Sequence, residues 1–558
     1  MPLGRRIFDR LRRDPARIVS HLVAGDGSTA AVPGTVLLAR AWGYAHALGA
    51  HGPSRPEAIA GICLHPGLDL HAAWLGALWA GYIPSMVAPP SPRMEPAKYA
   101  AGFDVIATQI QADVWVVSRH AAGLFGRGPA GPPAGPDGRV FVAEEVPDWN
   151  GGAPPRGGVE RGLDEVTLVQ HSSGTTGRQK AVALTSRQVL AHEEAYRAAL
   201  GMGEQDVVVS WLPLYHDMGL VACFLMPLLG GMRLVEMSPF DWARRPLTLM
   251  ELISTHKGTF CWMPNFAFAF LAASRDRAGE APRFDLSSIR AWVNSSEPVM
   301  ASSCERFVNA FAADGVRWDQ MTASYAMAEN VYAVTQSSPG RPGLRVVDRD
   351  TFVGDHRLVP ATGPSTVTLV ASGSVLPTTE LRIVDGLGTP CAEGMIGEIQ
   401  LRGACRFQGY LGRPDLTAAA IDGEGWYRTG DLGAMVDAEL FVTGRLTDLV
   451  IIQGRNLYPG DIEAAVAEVP GVAPGRVAAF GVTDEGDGTE RLVVVAERAV
   501  ASTEADAVIA LRVRKHIAQA CDCTAGDVRM VPPRWLVKST SGKVARADTR
   551  AKYLRDVH

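Results

Sequence analysis

The spacing of apolar positions along the chain changes several times, and each change predicts a different kind of structure. Residues 58–63 are almost continuously apolar, which predicts a buried strand, and residues 71–79 have the apolar spacing of a helix. Between residue 165 and about residue 335, strand-like and helix-like segments follow one another. That alternation predicts helices packed in layers on a sheet, which is the α/β class.

A different architecture is predicted toward the C-terminus. Prolines and glycines are frequent over 126–164 and over 336–376, which predicts a long surface connection and then an irregular stretch. Short strand-like segments predict an all-β piece, at 380–384, 397–401 and 440–442. The segment after residue 449 combines a predicted strand at 491–497 with a predicted helix around 508–520.

The composition excludes several classes of protein. The chain has 558 residues, of which 47% are hydrophobic and 20% charged, so a folded protein of about three or four domains or subdomains is expected. A net charge of −5 gives no reason to expect nucleic acid or a membrane as partner. The eight cysteines lack zinc-ribbon spacing, and no apolar signal core opens the chain. We therefore expect buried free thiols and a cytoplasmic location.

Residues 171–180, His-Ser-Ser-Gly-Thr-Thr-Gly-Arg-Gln-Lys, are rich in hydroxyls and glycines and end on a cation. Predicted strands at 165–170 and 181–184 enclose the segment, and Thr185 and Gln188 form a capping box before a helix. Hydroxyls and backbone N–H groups in such a turn can hold phosphate oxygens. The pattern favours a hairpin-like phosphate loop, although a polar surface turn is the alternative and the Walker pattern is absent.

Two further segments combine polar and aromatic groups near predicted strand ends. His216 and Asp217 follow an apolar approach, and a polar pair at a helix start is one interpretation of them. The run 261–270 carries aromatic residues two positions apart, for which core packing is the usual explanation. From the residues alone, neither segment has an assigned chemical role.

Several single side chains offer chemistry that a nucleotide site needs. Tyr325 presents an aromatic face to which a purine could stack, and Glu329 presents a hard oxygen ligand of the type that magnesium takes beside phosphates. Asp431 lies in a Gly-Asp turn, where its carboxylate could accept hydrogen bonds from a diol. Lys543 is a cation in a flexible polar turn. Structural roles are the alternative for each.

Taken together, these motifs resemble those of the adenylate-forming superfamily, and most closely those of the fatty acyl-AMP ligases. The resemblance rests on 171–180, 211–220, 294–298, 324–329, 426–433, 444–459 and 538–546, in that order along the chain. It implies a large N-terminal domain, 1–443, with two α/β subdomains (about 1–164 and 165–335) and a β-barrel-like piece (336–443). A hinge at 444–448 and a small, mobile α+β domain at 449–558 would follow.

The resemblance also implies roles for individual residues, with ATP and Mg²⁺ as cofactors. Lys543 and His216 are implied as catalytic residues, Thr447 as the hinge, and Glu329 with Thr175 as metal ligands. Nucleotide binding is implied for Ser172, Ser173, Gly174, Thr175, Thr176, Gly177, Lys180, Ser296, Glu297, Ser324, Tyr325, Ala326, Asp431 and Arg445. An acyl pocket is implied for His216, Met218, Gly219, Asn265, Phe266, Phe268 and Met327.

The implied reaction converts a carboxylic acid, by the family default a fatty acid, and ATP into an acyl-adenylate and pyrophosphate. The extra stretch near 340–371 favours an acyl carrier protein over CoA as the acceptor of the acyl group. An acyl-CoA synthetase is the alternative within the same chemistry. Gln179, Ala181 and Ala326 stand where other residues are usual, so a catalytically impaired nucleotide-binding homologue is a third hypothesis.

Overall fold

The fold is described from a computed structural model. It covers residues 1–53, 55–90, 96–125, 139–151, 153–155, 161–172, 180–279, 283–338, 340, 343–363, 365–452, 455–484, 489–521, 523–539 and 542–557.

The first large sheet carries the hairpin that encloses the predicted phosphate loop. Its seven strands are, in spatial order, Gly409–Tyr410, Lys180–Thr185, Val166–Ser172, Ile83–Met86, Ile59–Cys63, Val114–Val117 and Arg139–Val142. The first three strands pair antiparallel and the others parallel. The connecting helices are Gly34–Gly49, Leu68–Trp79, Pro96–Ile110, Arg119–Phe125 and Ser186–Ala199.

This sheet confirms the local predictions and corrects one. The strand at 58–63 and the helix at 71–79 are present, and Thr185 and Gln188 form the capping box of the helix that follows the hairpin. The stretch 126–164, however, is not only a connection. Its residues Arg139–Val142 add a parallel edge strand, because the β-branched and aromatic Val-Phe-Val sequence suits a half-exposed edge.

The second large sheet also has seven strands. They are, in spatial order, Met321–Ser324, Ala291–Ser295, Phe260–Met263, Val207–Ser210, Arg233–Met237, Ile18–Val23 and Thr29–Pro33. All neighbours pair parallel except the last two. The helices are Leu3–Arg13, Met226–Gly230, Pro239–Arg244, Thr248–His256, Asn265–Arg277 and Ala301–Phe311, with a π-helix at Met218–Leu225. One apolar core joins both large sheets.

The third part of the large domain is antiparallel, as the short strands predicted. Strands Thr379–Val384, Gly397–Gly403, Tyr427–Val436 and Glu439–Arg445 form one sheet, and helix Pro414–Ala420 precedes the third of them. The prediction of an irregular stretch at 336–376 was wrong in part. Leu344–Asp348 and Thr366–Val370 pair as antiparallel strands around helix Arg349–Gly354, and Thr335–Gln336 pairs with Ser374–Val375. Apolar residues alternate with polar ones in parts of 344–348 and 366–370, and this alternation is typical of strands.

The small C-terminal domain has a separate core. Strands Val472–Asp484, Thr489–Arg498 and Asp527–Val531 form a sheet, covered by helices Pro459–Ala467, Asp506–Cys521 and Arg546–Val557. The hairpin Val450–Ile452 and Arg455–Leu457 precedes it. Two apolar clusters, whose described members all come after residue 449, fill both faces of the three-stranded sheet. The predicted α/β class with a large N-terminal and a small C-terminal domain is thereby confirmed.

All eight cysteines are free thiols, six of them buried. None of the described helices is long and apolar enough to cross a lipid bilayer.

Candidate active site

Four neighbouring parallel strands of the second sheet end at one edge. In spatial order these are Val207–Ser210, Phe260–Met263, Ala291–Ser295 and Met321–Ser324. The chain leaves them into the segments 211–217, 264–266, 296–298 and 325–329. Because ligands of open α/β sheets bind beyond the carboxyl ends of the strands, the topology collects four of the segments singled out in the sequence at one binding edge.

Tyr325, Asp431 and Arg445 form a connected group at this edge. The Tyr325 hydroxyl donates to Oδ2 of Asp431 at 2.7 Å, and Nε of Arg445 lies 2.8 Å from Oδ1. Burial and then Asp431 raise the pKa of Tyr325 well above its usual value, and Asp431 raises the pKa of Arg445. Both donors stay protonated. A carboxylate has about four acceptor positions, so Asp431 keeps capacity for a ligand diol.

Ser324 and Ala326 flank the tyrosine in regular backbone. The Ser324 hydroxyl donates to the hydroxyl of Ser295 on the neighbouring strand at 2.9 Å. Ala326 forms an antiparallel bridge with Ala333. Neither Ala326 nor Ala181, which lies in the strand Lys180–Thr185, has a positive φ. The methyl groups at these two positions therefore cause no backbone strain.

Glu329 is buried in a turn that packs against Val166–Ser172, the strand that leads into the phosphate loop. Its Oε1 accepts a 2.9 Å hydrogen bond from the Tyr410 hydroxyl, which lies 3.2 Å from the hydroxyl of Tyr427. The ammonium of Lys180 is 4.6 Å from the centroid of the Tyr410 ring. Glu329, the predicted metal ligand, and Lys180, the cation at the end of the phosphate loop, therefore both contact Tyr410.

The centre of the phosphate loop lies outside the described residues. This applies to the predicted nucleotide ligands Ser173, Gly174, Thr175, Thr176 and Gly177, and to Gln179. Ser172 and Lys180 are described and pair with each other at the open end of the hairpin. The hairpin that was predicted for this loop is therefore present, with its strands antiparallel.

The protein side chains at this site could bind magnesium only together with the phosphates of a nucleotide. Over the described ranges no cluster of three or more His, Cys, Asp or Glu side chains could hold a metal ion. Magnesium at nucleotide sites commonly takes one or two carboxylates, and phosphate oxygens and water complete its shell. Glu329 fits the role of that single protein carboxylate.

Lys543 of the small domain reaches the edge of the second sheet. Its ammonium donates a hydrogen bond to the backbone carbonyl of Ser296. Burial lowers the pKa of Lys543, whereas Glu297 and then Asp217 raise it. Burial in turn raises the pKa of both carboxyls, and Lys543 lowers them. One cation therefore faces two buried carboxyl groups, and their pKa values lie above the ordinary range because of burial.

The backbone at Ser296 directs this contact. Ser296 has a φ of +68°, in the left-handed region that non-glycine residues rarely adopt. The following residue, Glu297, accepts a 2.9 Å hydrogen bond at Oε2 from the backbone N–H of Phe266. The strained turn and the fixed Glu297 present the Ser296 carbonyl to the small domain.

A tight turn in the small domain presents Lys543. Ser539 donates its N–H to the Lys543 carbonyl at 2.8 Å, and Gly542, with a φ of +85°, donates to Ser539 at 2.9 Å. Arg546, three residues after Lys543, forms two 2.7 Å hydrogen bonds to the Glu463 carboxylate and one to Asp448. The arginine ties the turn to the end of the predicted hinge.

Thr447, the predicted hinge residue, is exposed in the 3₁₀ turn Leu446–Asp448. Its hydroxyl lies 3.4 Å from Oδ1 of Asp448. Domain boundaries and the hinge role stay predictions, because the structure holds one arrangement of the two domains.

The segment with His216 opens the π-helix Met218–Leu225. Oδ1 of Asp217 caps this helix by accepting the N–H of Met218 at 2.8 Å, and the His216 ring lies 4.8 Å from that of Tyr215. Gly219 sits where a Cβ would come within 2.3 Å of the Pro213 carbonyl oxygen, so only glycine fits. The Ser296 hydroxyl donates to the sulfur of Met218 at 3.9 Å. The segment therefore lies beside Ser296, whose carbonyl accepts from Lys543.

A cavity of about 630 Å³ lies between the two domains. Asn265 and Phe266, two of the predicted acyl-pocket residues, line it together with Glu297, Lys538 and Lys543. Phe268 does not line it within the described structure. It is fully buried and packs edge-on against Phe307 at 5.1 Å, because residues two apart on a helix face different sides.

The other predicted acyl-pocket residues do not line the described part of the cavity. These are His216, Met218, Gly219 and Met327. The N–H of Met327 donates to the Tyr332 carbonyl at 2.8 Å. Four residues with a role in the geometry were missed or left unassigned from sequence: Asp217, Tyr410, Lys538 and Arg546. Asp217 follows His216 directly, and that adjacency was the available signal.

Residues 35–411 match the family described as AMP-binding enzyme. The chain belongs to that family. A putative ligase of Mycobacterium tuberculosis is 36% identical over 71% of this chain and 73% of its own length. The long-chain-fatty-acid–AMP ligase FadD32 of Mycolicibacterium smegmatis is 32% identical over 87% and 83%.

A solved structure supports the same assignment for this AMP-binding enzyme. It comes from studies of fatty acyl-adenylate ligases of E. coli and L. pneumophila, and it is 25% identical. Its TM-score is 0.87, with 100% of this chain and 98% of the other covered. The predicted adenylate-forming resemblance and the assignment as an ATP-dependent acid-activating ligase are confirmed.

Proposed function

We propose that this AMP-binding enzyme is a fatty acyl-AMP ligase that passes its acyl group to the phosphopantetheine thiol of an acyl carrier protein. The observation that carries the first step is the contact of Lys543 with the Ser296 carbonyl. It places a cation of the small domain at the strand edge where Tyr325, Asp431 and Arg445 meet.

In the first step a carboxylate oxygen of the acid attacks the α-phosphorus of ATP. A P–O bond forms, the bond from the α-phosphorus to the bridging oxygen breaks, and pyrophosphate leaves with both electrons of that bond. The chain supplies no nucleophile. It supplies position and charge, which suffice for transfer to phosphorus.

Each part of the site has a proposed task in that step. Tyr325 would stack on the adenine, and Asp431 would accept from the ribose diol beside Arg445. Ser172, Lys180 and the loop between them would hold the outer phosphates. Lys543 would neutralise the charge that develops between the carboxylate and the α-phosphate. Mg²⁺, held by Glu329 and predicted to contact Thr175, would neutralise phosphate charge.

The acid would enter the interdomain cavity, with His216 to Gly219 near its reacting end. A cavity of about 630 Å³ is within the size range of sites for small molecules. In the second step the thiol sulfur attacks the acyl carbonyl, AMP leaves, and the thiol proton passes to solvent. The small domain would rotate at Thr447 between the two steps.

A contact of the extra segment supports a carrier protein rather than CoA as acceptor. Phe352, in the helix between the paired strands 344–348 and 366–370, stacks on Tyr458 at 5.0 Å between ring centroids. Tyr458 directly precedes the first helix of the small domain, and both rings share one apolar cluster. The segment thus contacts the small domain directly after the hinge, where it would disfavour the particular arrangement of the two domains in which CoA reacts.

An acyl-CoA synthetase is the second candidate, and product analysis separates the two. The enzyme is incubated with radiolabelled fatty acid and ATP, and then with CoA, with a holo carrier protein, or with the same carrier lacking phosphopantetheine. Acyl-AMP without acceptor, labelled holo carrier and unlabelled apo carrier are expected. Acylation of CoA faster than of the holo carrier contradicts the proposal.

A further inference from the structure

Phe266 is the large-domain residue on which the Lys543 turn rests. A methyl group built on Gly542 would lie 3.6 Å from Cζ of the Phe266 ring, and one built on Gly475 would lie 3.7 Å from its Cβ. The ammonium of Lys538 lies 5.4 Å from the ring centroid. Two small-domain segments, one at Gly475 and one that contains Lys538 and Gly542, thus meet one half-buried side chain of the large domain.

Two stacked indoles pack against the other side of the Phe266 ring. The indoles of Trp211 and Trp242 stack at 3.7 Å with an angle of 3°, and each meets the Phe266 ring edge-on at 6.2 Å. Both indoles are buried. The Phe266 N–H is fixed by Glu297, whose neighbour Ser296 receives Lys543.

We propose that Phe266 is a positioning residue for the first half-reaction: its ring is the platform on which the small domain seats when Lys543 points at Ser296. The inference rests on the proposed role of Lys543 in adenylate formation. It differs from a role as a wall of the acyl pocket, because a platform matters only in this arrangement of the two domains.

The packing of the Phe266 ring, rather than the charge of Lys538, is the main part of this contact. Burial lowers the pKa of Lys538 to about 8, so a charged lysine is less favourable at this place than in water. The turn at Gly542 packs against the edge of the ring, at Cζ, and the backbone at Gly475 packs beside the Phe266 Cβ. Removal of the ring leaves a gap under Gly542 and Lys538, in the turn that presents Lys543. A small displacement of a catalytic group has a large kinetic effect.

The test measures the two half-reactions separately in Phe266→Ala. We expect adenylate formation at saturating acid and ATP to fall by about tenfold or more. Transfer from preformed acyl-AMP to a holo carrier protein should change by less than about twofold, since that step uses another domain arrangement. The control is Phe270→Ala on the same helix, whose ring packs on Trp242 at 5.3 Å and does not line the described part of the cavity. It should leave both half-reactions near wild type.

Other results overturn the inference. If Phe266→Ala raises the KM for the acid and slows both half-reactions equally, Phe266 is a pocket wall. If Phe266→Ala and Phe270→Ala act alike, the effect is general loss of packing. Phe266→Leu keeps a large apolar side chain and should give an intermediate loss, which covers the case in which the alanine variant does not fold. Lys543→Ala is measured in parallel. If Lys543→Ala keeps full adenylation activity, the proposed function is wrong. If Lys543→Ala loses that activity but Phe266→Ala keeps it, only the inference about Phe266 is wrong.

Discussion

The hydroxyl of Tyr325 donates a 2.7 Å hydrogen bond to Oδ2 of Asp431, across 106 positions of the chain. Replacement of Asp431 by asparagine removes the charge that faces Arg445 and one acceptor for the ribose. Because hydrogen bonds to charged groups contribute about 1.5–3 kcal/mol, we expect the KM for ATP to rise about 10- to 100-fold. Asp437→Asn, at an exposed carboxylate paired with Arg345, should leave it unchanged. Equal KM values for both variants would contradict the assignment.

Tyr410 should tune the metal requirement through Glu329. Tyr410→Phe removes the hydroxyl that donates to Oε1 of Glu329. Groups that orient a metal ligand commonly change metal affinity about 10- to 100-fold, so the Mg²⁺ concentration for half-maximal adenylation should rise about tenfold. Tyr427→Phe removes the neighbouring hydroxyl and keeps the Glu329 contact, and its effect should be smaller. The reverse order of the two variants would refute the role of Tyr410.

Ser296→Gly should stabilise the protein. A non-glycine residue at a φ of +68° carries about 1–2 kcal/mol of strain. Glycine costs about 0.4–1 kcal/mol through the entropy of the unfolded chain, so the free energy of unfolding should rise by up to about 1.5 kcal/mol. Ser296→Ala keeps the Cβ and should give no gain. Denaturant titration measures the free energy of unfolding of both variants. A glycine variant less stable than the wild type would show that the turn is not strained.

Adenylation should lose activity at alkaline pH with a midpoint below that of a free lysine. Burial lowers the pKa of Lys543, and the active form is the ammonium, so activity is present below that pKa and lost as the pH rises through it. Asp217 raises the pKa of Lys543, and Asp217→Asn should therefore move the alkaline limb to lower pH. Pyrophosphate exchange across pH 6–10.5 measures both. A flat profile, or a shift to higher pH in the variant, would contradict this electrostatic account.

Features set by neighbouring residues could be predicted from the sequence. The capping box of Thr185 and Gln188 needs only a spacing of three, and the hairpin around the phosphate loop needs two apolar stretches joined by a turn. The order of motifs was sufficient to indicate the family and to name Tyr325, Asp431, Arg445 and Lys543.

Features set by distant contacts could not be predicted in this way. Nothing in the run that contains Tyr410 indicates that its hydroxyl meets Glu329, 81 positions earlier. The edge strand Arg139–Val142 has only four residues beside a Pro- and Gly-rich stretch, so the local signal favoured a loop. Phe266 and Phe268 look alike in sequence, and only the packing of their helix separates the interdomain cavity from the core.

The most direct test of the account is the rate of acyl-adenylate formation in Lys543→Ala, measured in a single turnover with saturating ATP and fatty acid. Loss of a charge that stabilises the transition state costs about 10²- to 10³-fold, and we predict a fall of that size with ATP affinity retained. Lys515→Ala, at an exposed lysine of the same domain, should form adenylate at the wild-type rate. An undiminished rate in Lys543→Ala would contradict the central claim, that a cation of the small domain completes the site at the Ser296 carbonyl.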